Sequence, residues 1–406
     1  LSAPLGETTT QNVVLQVEAL GLEAAVFTAD GIQSGMNINR AGVGTSISEQ
    51  TMTALPTVSR SMNDVMKLTP QASSTTNGLA VGGGNYRSSY VTVDGASFNN
   101  MFGIGANLPA GGAPISLDAL EQMSVNITPF DVRHSGFTGG AINAVTKSGS
   151  NQWHASVYNY YNSDKLKGNM VAGKEVSKST SLNNTTGVTV GGPIIKNKLF
   201  FFANFEYSMD VLPGSSYKVR DNETQEWGDG TSYVRPTKEF MEEVKTYLNK
   251  EYGYDPGRYE GYSLSTPDWK LMARVDWNIN SNNSLNVRFS KTHSKYSNNP
   301  SSSVSPLTAG KVFPGNSDLG IGSGNGAFSN YGLNFESTRY FQEQNYTSLA
   351  AELNSRLFDG DANNTLRVSY NYQYEPRSYV GGVFPKVDIL KDGAGYMSFG
   401  PDIYTA

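Results

Sequence analysis

Residues able to do acid–base, nucleophilic or metal chemistry are few and scattered in this chain. It has three histidines and no cysteine. His134, His154 and His293 lie far apart in sequence, too dispersed to suggest a metal site or a triad. Without a thiol there is no disulfide, no thiolate nucleophile and no Cys-ligated zinc. Gly82-Gly83-Gly84 is not followed by Gly-Lys-Ser/Thr, the sequence that wraps backbone N–H groups and a lysine around a phosphate. The triplet reads instead as a tight turn. Asp359, Asp361 and Asn363 alternate like calcium ligands but do not complete the EF-hand pattern; they read as a polar turn. No Ser/His/Asp set and no defensible carboxylate pair emerges. The expectation is a protein that is not an enzyme and needs no cofactor or metal.

Composition points elsewhere. Asp and Glu (36) outnumber Lys and Arg (31), giving a net charge of -5. With no basic block, nucleic-acid binding is not expected. Charged residues make up only 17% of the 406, while there are 43 glycines and 23 tyrosines. A glycine- and tyrosine-rich, charge-poor chain suits many strands and turns, and suits the aromatic belts of membrane interfaces. No apolar run approaches the roughly 18 residues that a transmembrane helix needs. Barrel strands escape that criterion because they alternate.

The texture changes along the chain. Val13 to Val17 and Leu22 to Ala29 read as extended stretches, followed by a polar, Gly31- and Gly35-containing link. Residues 38–150 read as a compact α+β unit. Its expected elements are a helix from Met62 to Leu68 after Ser59, strands at Ser89–Val93 and Met123–Ile127, a short Ser116-capped helix, and a strand through Gly139–Thr146.

From about residue 151 the pattern becomes long alternating strands. Leu199, Phe201, Ala203, Phe205 and Tyr207 share one face; Phe202, Asn204 and Glu206 share the other. Leu271, Ala273, Val275 and Trp277 alternate with Met272, Arg274 and Asp276. Leu285, Val287 and Phe289 alternate with Asn286, Arg288 and Ser290. Leu349, Ala351 and Leu353 alternate with Glu352 and Asn354, and Leu366, Val368, Tyr370, Tyr372 and Tyr374 alternate with Arg367, Ser369, Asn371 and Gln373. Period two puts one residue set on each face of a sheet. Short polar turns at 195–198, 280–283 and 359–363 separate these strands, and the other connections, near 210–266 and 296–342, are long. Short turns at one end and long loops at the other describe an outer-membrane barrel with the long loops outside. A soluble sandwich uses strands of about five or six residues and shorter loops. Within the 210–266 loop, Phe240, Met241, Val244, Tyr247 and Leu248 have helical spacing after Thr237.

At residues 91–149 the sequence resembles a known family. Val93-Asp94-Gly95 is followed by Pro114-Ile115-Ser116 and by an unbroken string from Pro129-Phe130-Asp131-Val132-Arg133 to Gly139-Gly140-Ala141-Ile142-Asn143-Ala144-Val145-Thr146-Lys147-Ser148-Gly149. This resembles the plug of TonB-dependent outer-membrane transporters, most closely the Oar-like branch. The resemblance covers at least residues 38–209.

The fold it implies is mostly β: a small α+β plug (38–150) followed by antiparallel transmembrane strands (151–406). These form the first part of a barrel of about twenty-two strands, so the chain is expected to continue past Ala406. Residues 1–20 resemble the end of a carboxypeptidase-regulatory-like domain. Residues 21–37 stand where a TonB-box-like segment and linker belong, with Val26, Phe27 and Thr28 as the backbone that pairs with TonB by strand addition. Asn99, Met101, Phe102, Ile104 and Asn107 fall in an apical plug loop expected to face substrate. Many family plugs carry an Arg-Gly pair before the Asp-Gly strand; the matching place here reads Val81-Gly82-Gly83-Gly84-Asn85-Tyr86-Arg87. The expected plug–barrel lock is therefore Arg133 with Glu206 or Glu352. The implied partners are TonB, outer-membrane lipid and a surface lipoprotein. The implied activity is energised uptake of a large or scarce substrate; an Oar-like barrel for protein secretion or adhesion, and a soluble β-rich surface-binding protein, are the alternatives.

Overall fold

The computed structural model describes residues 44–401, apart from 56–59, 76, 101–105, 110–112, 128–139, 176–179, 216, 229–230, 299–331 and 392–393. The expectations for residues 1–43 lie outside the described residues, as does the string from Pro129 to Gly139.

The N-terminal unit is built on a five-stranded sheet. Strands β1 (Gly44–Ser48), β4 (Tyr90–Val93), β5 (Ala96–Ser97), β6 (Leu120–Asn126) and β7 (Ala141–Thr146) run in the order β1-β6-β7-β4-β5. A hairpin of β2 (Ala72–Thr75) and β3 (Gly78–Val81) lies outside that sheet. Helix α1 (Glu49–Ala54) is capped by the Ser48 side chain, and α2 (Met62–Met66) by Ser61. Each serine oxygen accepts an otherwise orphaned backbone N–H, which fixes where the helix begins. Met62, Val65 and Met66 are fully buried with Val91, Val93, Leu120, Met123, Val125 and Ile142. The expected helix and strands are therefore present; the helix, β4 and β7 are slightly shorter than expected, and β6 begins three residues earlier. Ser116 caps a single 3-10 turn, Leu117–Ala119, where a short helix was expected.

The second unit is one antiparallel sheet. Its long strands are β8 (His154–Ser163), β11 (Leu182–Ile195), β12 (Leu199–Pro213), β15 (Ser263–Asn280), β16 (Asn283–Asn298), β18 (Tyr340–Leu357) and β19 (Ala362–Tyr374). They pair in sequence order, with short β20 (Arg377–Tyr379) added to the upper part of β18. Tight turns join β11 to β12, β15 to β16, and β18 to β19. The long connections carry the small elements β9 (Met170–Val171) and β10 (Lys174–Glu175), β13 (Lys218–Arg220) and β14 (Tyr233–Thr237), helix α3 (Lys238–Tyr252), β17 (Leu333–Asn334), and β21 (Val387–Lys391) with β22 (Ala394–Phe399).

The two faces of this sheet are inverted relative to a soluble protein. Val157, Val275, Leu349, Leu366, Val368, Tyr370, Tyr372 and Tyr374 are exposed, while Asn204, Glu206, Lys270, Arg288, Ser290, Thr292, Gln344 and Ser348 are buried. Val157 is 78% exposed and Arg288 is 1% exposed. Water would penalise that much outward hydrocarbon, whereas lipid does not. Apart from β8, with 10 residues, the long strands run 13–18 residues, beyond the roughly 9–11 that span a bilayer when tilted, so their upper ends project past it.

Those projecting ends carry a second core. Val219, Val234, Met241, Leu248, Tyr254, Tyr259, Leu333, Phe335, Tyr396, Met397 and Phe399 form one buried cluster. Thr237 caps α3 by accepting from the Phe240 N–H, and Gly253 ends it in the left-handed region at φ 62°. The helical spacing after Thr237 is thus realised. The helix packs on strands from later loops as well as its own; Phe240 meets Tyr396 edge-on at 4.9 Å. Connections that look separate in sequence condense into one cap on the long-loop side.

Candidate plug–barrel interface

The N-terminal unit sits against the buried polar face of the large sheet. It enters that position at the short-turn end. Asn151 and Asn197 exchange two hydrogen bonds of 2.6 and 2.8 Å, tying the linker to the β11–β12 turn. Gly149 passes so close to the backbone of Phe201 and Gly192 that a Cβ would overlap their carbonyl oxygens. Glycine is required there for space alone.

The centre of the interface is the turn at Asp94-Gly95. Both residues adopt positive φ, 46° and 76°, and a Cβ on Gly95 would collide with the Arg367 guanidinium. The Asp94 carboxylate accepts from Thr146 N (3.0 Å) and Thr146 Oγ1 (2.7 Å), joining the turn to β7. Its outer side faces two sheet arginines. Arg274 Nη1 stands 3.7 Å from Oδ1 and Arg288 Nε 3.6 Å from Oδ2. Arg274 also donates to the Thr146 carbonyl at 2.9 Å and chelates Asp276 with its other nitrogens. Arg367 pairs with Glu352 on the neighbouring strand. Of the three arginines around the turn, Arg288 alone has no carboxylate from its own sheet among the described residues. It has Asp94, the Ser348 hydroxyl at 3.2 Å and the Phe98 ring at 5.2 Å. A guanidinium this buried needs a counter-charge, and the N-terminal unit provides it.

A second polar cluster lies alongside. Glu206 accepts from Lys270 (2.9 Å), Tyr158 (2.8 Å) and Ser116 of the N-terminal unit (2.8 Å). Asp268 lies 3.3 Å from the same Lys270 amine. Nearby, Arg60 pairs with Asp118 and lies 4.2 Å from the Tyr160 ring. Further contacts run along the interface. Thr292 donates to the Pro114 carbonyl at 2.5 Å, Tyr346 donates to the Ser97 carbonyl, Phe98 packs on Tyr346 at 4.8 Å, and Gln373 donates to Asn100 at 3.2 Å.

The expected site residues are placed as follows. Arg133 lies outside the described residues, and so do Val26, Phe27, Thr28, Met101, Phe102 and Ile104. Glu206 does reach the N-terminal unit, through Ser116 rather than an arginine. Glu352 is taken by Arg367 of its own sheet. Asn99 and Asn107 bond to each other at 2.8 Å; Asn99 also bridges Val91 N and the Ser89 carbonyl, and Asn107 is buried. Their amides form the base of the apical loop. The residues that sequence reasoning missed are Asp94, Arg274, Arg288 and Arg367. The available signal was an Asp-Gly turn opposite three arginines at inward positions of alternating strands.

Comparison with known proteins places this geometry. A family model described as an outer membrane beta barrel domain matches residues 145–402. Over 216 residues the chain is 29% identical to the TonB-dependent transporter Oar of Myxococcus xanthus, covering 50% of this chain and 20% of that protein. Among solved structures it is similar to the outer membrane transporter YddB of Escherichia coli. The TM-score is 0.54 at 10% identity, with 88% of this chain and 42% of that one covered. It is likewise similar to the siderophore receptor PirA of Acinetobacter baumannii. Here the TM-score is 0.50 at 16% identity, covering 82% of this chain and 40% of that one. The chain therefore spans about a fifth of the curated relative and about two fifths of each of these structures. The fold is mostly β, with an antiparallel sheet of the kind found in TonB-dependent receptor barrels, and its place is the Gram-negative outer membrane. With more than half of its length matched by that domain, the chain belongs to the outer-membrane β-barrel family.

Proposed function

We propose that this chain is the plug and first barrel strands of a TonB-dependent transporter that takes up a large or scarce substrate across the outer membrane. The observation that carries the reading is the N-terminal unit seated on the polar face of strands whose other face is apolar. A folded unit in that place blocks the lumen, and transport then requires it to move. In this reading residues 1–20 end a preceding domain, and Val26, Phe27 and Thr28 pair with TonB. The plug occupies 38–150 and the barrel continues from 151. The polar interface suits such a device. Charge pairs and hydrogen bonds hold a plug in register, yet a modest pull can exchange them for water, which an apolar interface would resist.

The reading is tested by comparing spent medium from cells with and without the full-length protein. Uptake predicts a compound left unconsumed by the knockout, and equally by cells whose proton gradient has been collapsed. An unchanged medium with an altered set of secreted proteins would favour the export reading instead.

A further inference from the structure

The outward face of the strands is almost free of charge, which makes its exceptions informative. On the seven long strands, the outward positions hold four acidic or basic side chains: Lys291, His293 and Lys295 on β16, and Glu343 on β18. Three of the four are consecutive outward positions of a single strand. Thr292 and Ser294 between them are buried on the lumen side.

Their height in the sheet is defined by register. Toward the short-turn end, the outward rows through β16 are apolar: Leu285 with Trp277 and Leu353, Val287 with Val275 and Ala351, and Phe289 with Ala273 and Leu349. The cations begin at the next row, where Lys291 pairs with Leu271 and Thr347, and continue upward. They stand at the upper rim of the lipid-facing band, on the side of the long loops. In an outer-membrane barrel that side is the outer leaflet.

The surroundings hold the two lysines without neutralising them. Lys291 Nζ lies 5.8 Å from the Trp269 ring, and Lys295 Nζ 4.7 Å from the Phe341 ring. Trp269 stacks against His293 at 6.0 Å, and His293 Nδ1 donates to Asn345 Oδ1 at 2.6 Å. Among the described residues neither lysine has a carboxylate within ion-pair distance, although Glu343 is the register partner of Lys295. An ammonium has three donors and a ring face meets only its charge, so hydrogen-bonding capacity remains at both lysines. Leaving two ammonium groups uncompensated at the edge of hydrocarbon is costly, and a fixed anion at that height relieves the cost.

We propose that Lys291, His293 and Lys295 form a binding site for the phosphate groups of the outer leaflet's glycolipid, with Trp269 and Phe341 packing beside its sugar and upper acyl segments. The occupant is a membrane-resident phosphoglycolipid rather than the transported substrate, since the site faces away from the lumen.

The test uses the full-length protein in mild detergent and counts bound lipopolysaccharide by native mass spectrometry during titration. Wild type is expected to bind it with an affinity that falls steeply as salt is raised, and K291R/K295R is expected to keep binding. K291Q/K295Q should bind at least tenfold more weakly while retaining heat-modifiable migration, the sign of a folded barrel. K250Q, on exposed α3, should match wild type. Inorganic phosphate at millimolar concentration should not displace the lipid. The proposal is overturned by salt-independent wild-type binding, by K291Q/K295Q binding as wild type does, or by displacement with phosphate alone. The last result would mark a simple anion site.

Discussion

Replacing Asp94 with alanine is expected to weaken docking of the N-terminal unit by about 3–5 kcal/mol, the usual cost of stripping one partner from a buried ion pair. The pair here is unequal. Arg274 keeps Asp276 and Arg367 keeps Glu352, but Arg288 keeps no carboxylate among the described residues. The substitution also removes the two bonds that close the turn onto Thr146. Asparagine in place of alanine preserves an acceptor for Thr146 N but not the charge, so Asp94→Asn should fall between wild type and Asp94→Ala. Folded full-length protein in planar bilayers would report the loss as a standing conductance, and cells as entry of large antibiotics. The decisive comparison is Asp94→Ala with Asp94→Ala/Arg288→Met. Removing the stranded guanidinium should restore at least half of the lost stability. Strictly additive losses would show that the arginine is not what Asp94 serves.

Deleting residues 22–29 is expected to abolish energised uptake while leaving substrate binding at the cell surface intact. The basis is mechanical. A segment that adds a strand to a partner transmits force through backbone hydrogen bonds, so losing it removes the pull but none of the extracellular surface. A Val26→Pro variant should give most of the same effect, because proline removes one backbone donor from the augmented strand. The purified periplasmic domain of TonB should bind full-length wild type and neither variant. Uptake that persists at wild-type levels would move the TonB-contact segment elsewhere.

Much of the fold was legible because lipid-facing strands obey a strict rule. The alternation from Leu199 to Tyr207, Leu271 to Trp277 and Leu366 to Tyr374 specifies strand, face and register at once. The inverted burial of Val157 and Arg288 is that pattern in three dimensions. Thr237 announced α3 because an N-cap is a local device. What was not legible depends on contacts between distant segments. Glu206 and Glu352 follow as lock carboxylates from the family resemblance and their inward position. Inward position says nothing about which neighbour neutralises a charge, and Arg367, fifteen residues from Glu352, is its cross-strand partner. Asp94 enters the sequence reading only as part of the Val93-Asp94-Gly95 motif, although its side chain joins three chain segments. Asn99 and Asn107 belong to a segment expected to face substrate; their amides are instead spent on each other and on the Ser89–Val91 backbone. The cap around Met241 and Tyr396 joins residues more than 150 apart, and no local pattern reports that.

The central claim is that one face of these strands meets lipid and the other meets a folded unit inside a barrel. The chain contains no cysteine, so once any cysteine outside it is replaced by serine, single cysteines can be introduced one at a time along β19 without background. Labelled with an environment-sensitive fluorophore in the full-length protein, positions 366, 368, 370 and 372 should be quenched by lipids carrying a spin label in the acyl chain. Positions 365, 367, 369 and 371 should not be. A two-residue alternation along the whole strand is the predicted result. Uniform labelling from water, or quenching without that alternation, would contradict the assignment of this sheet to the membrane.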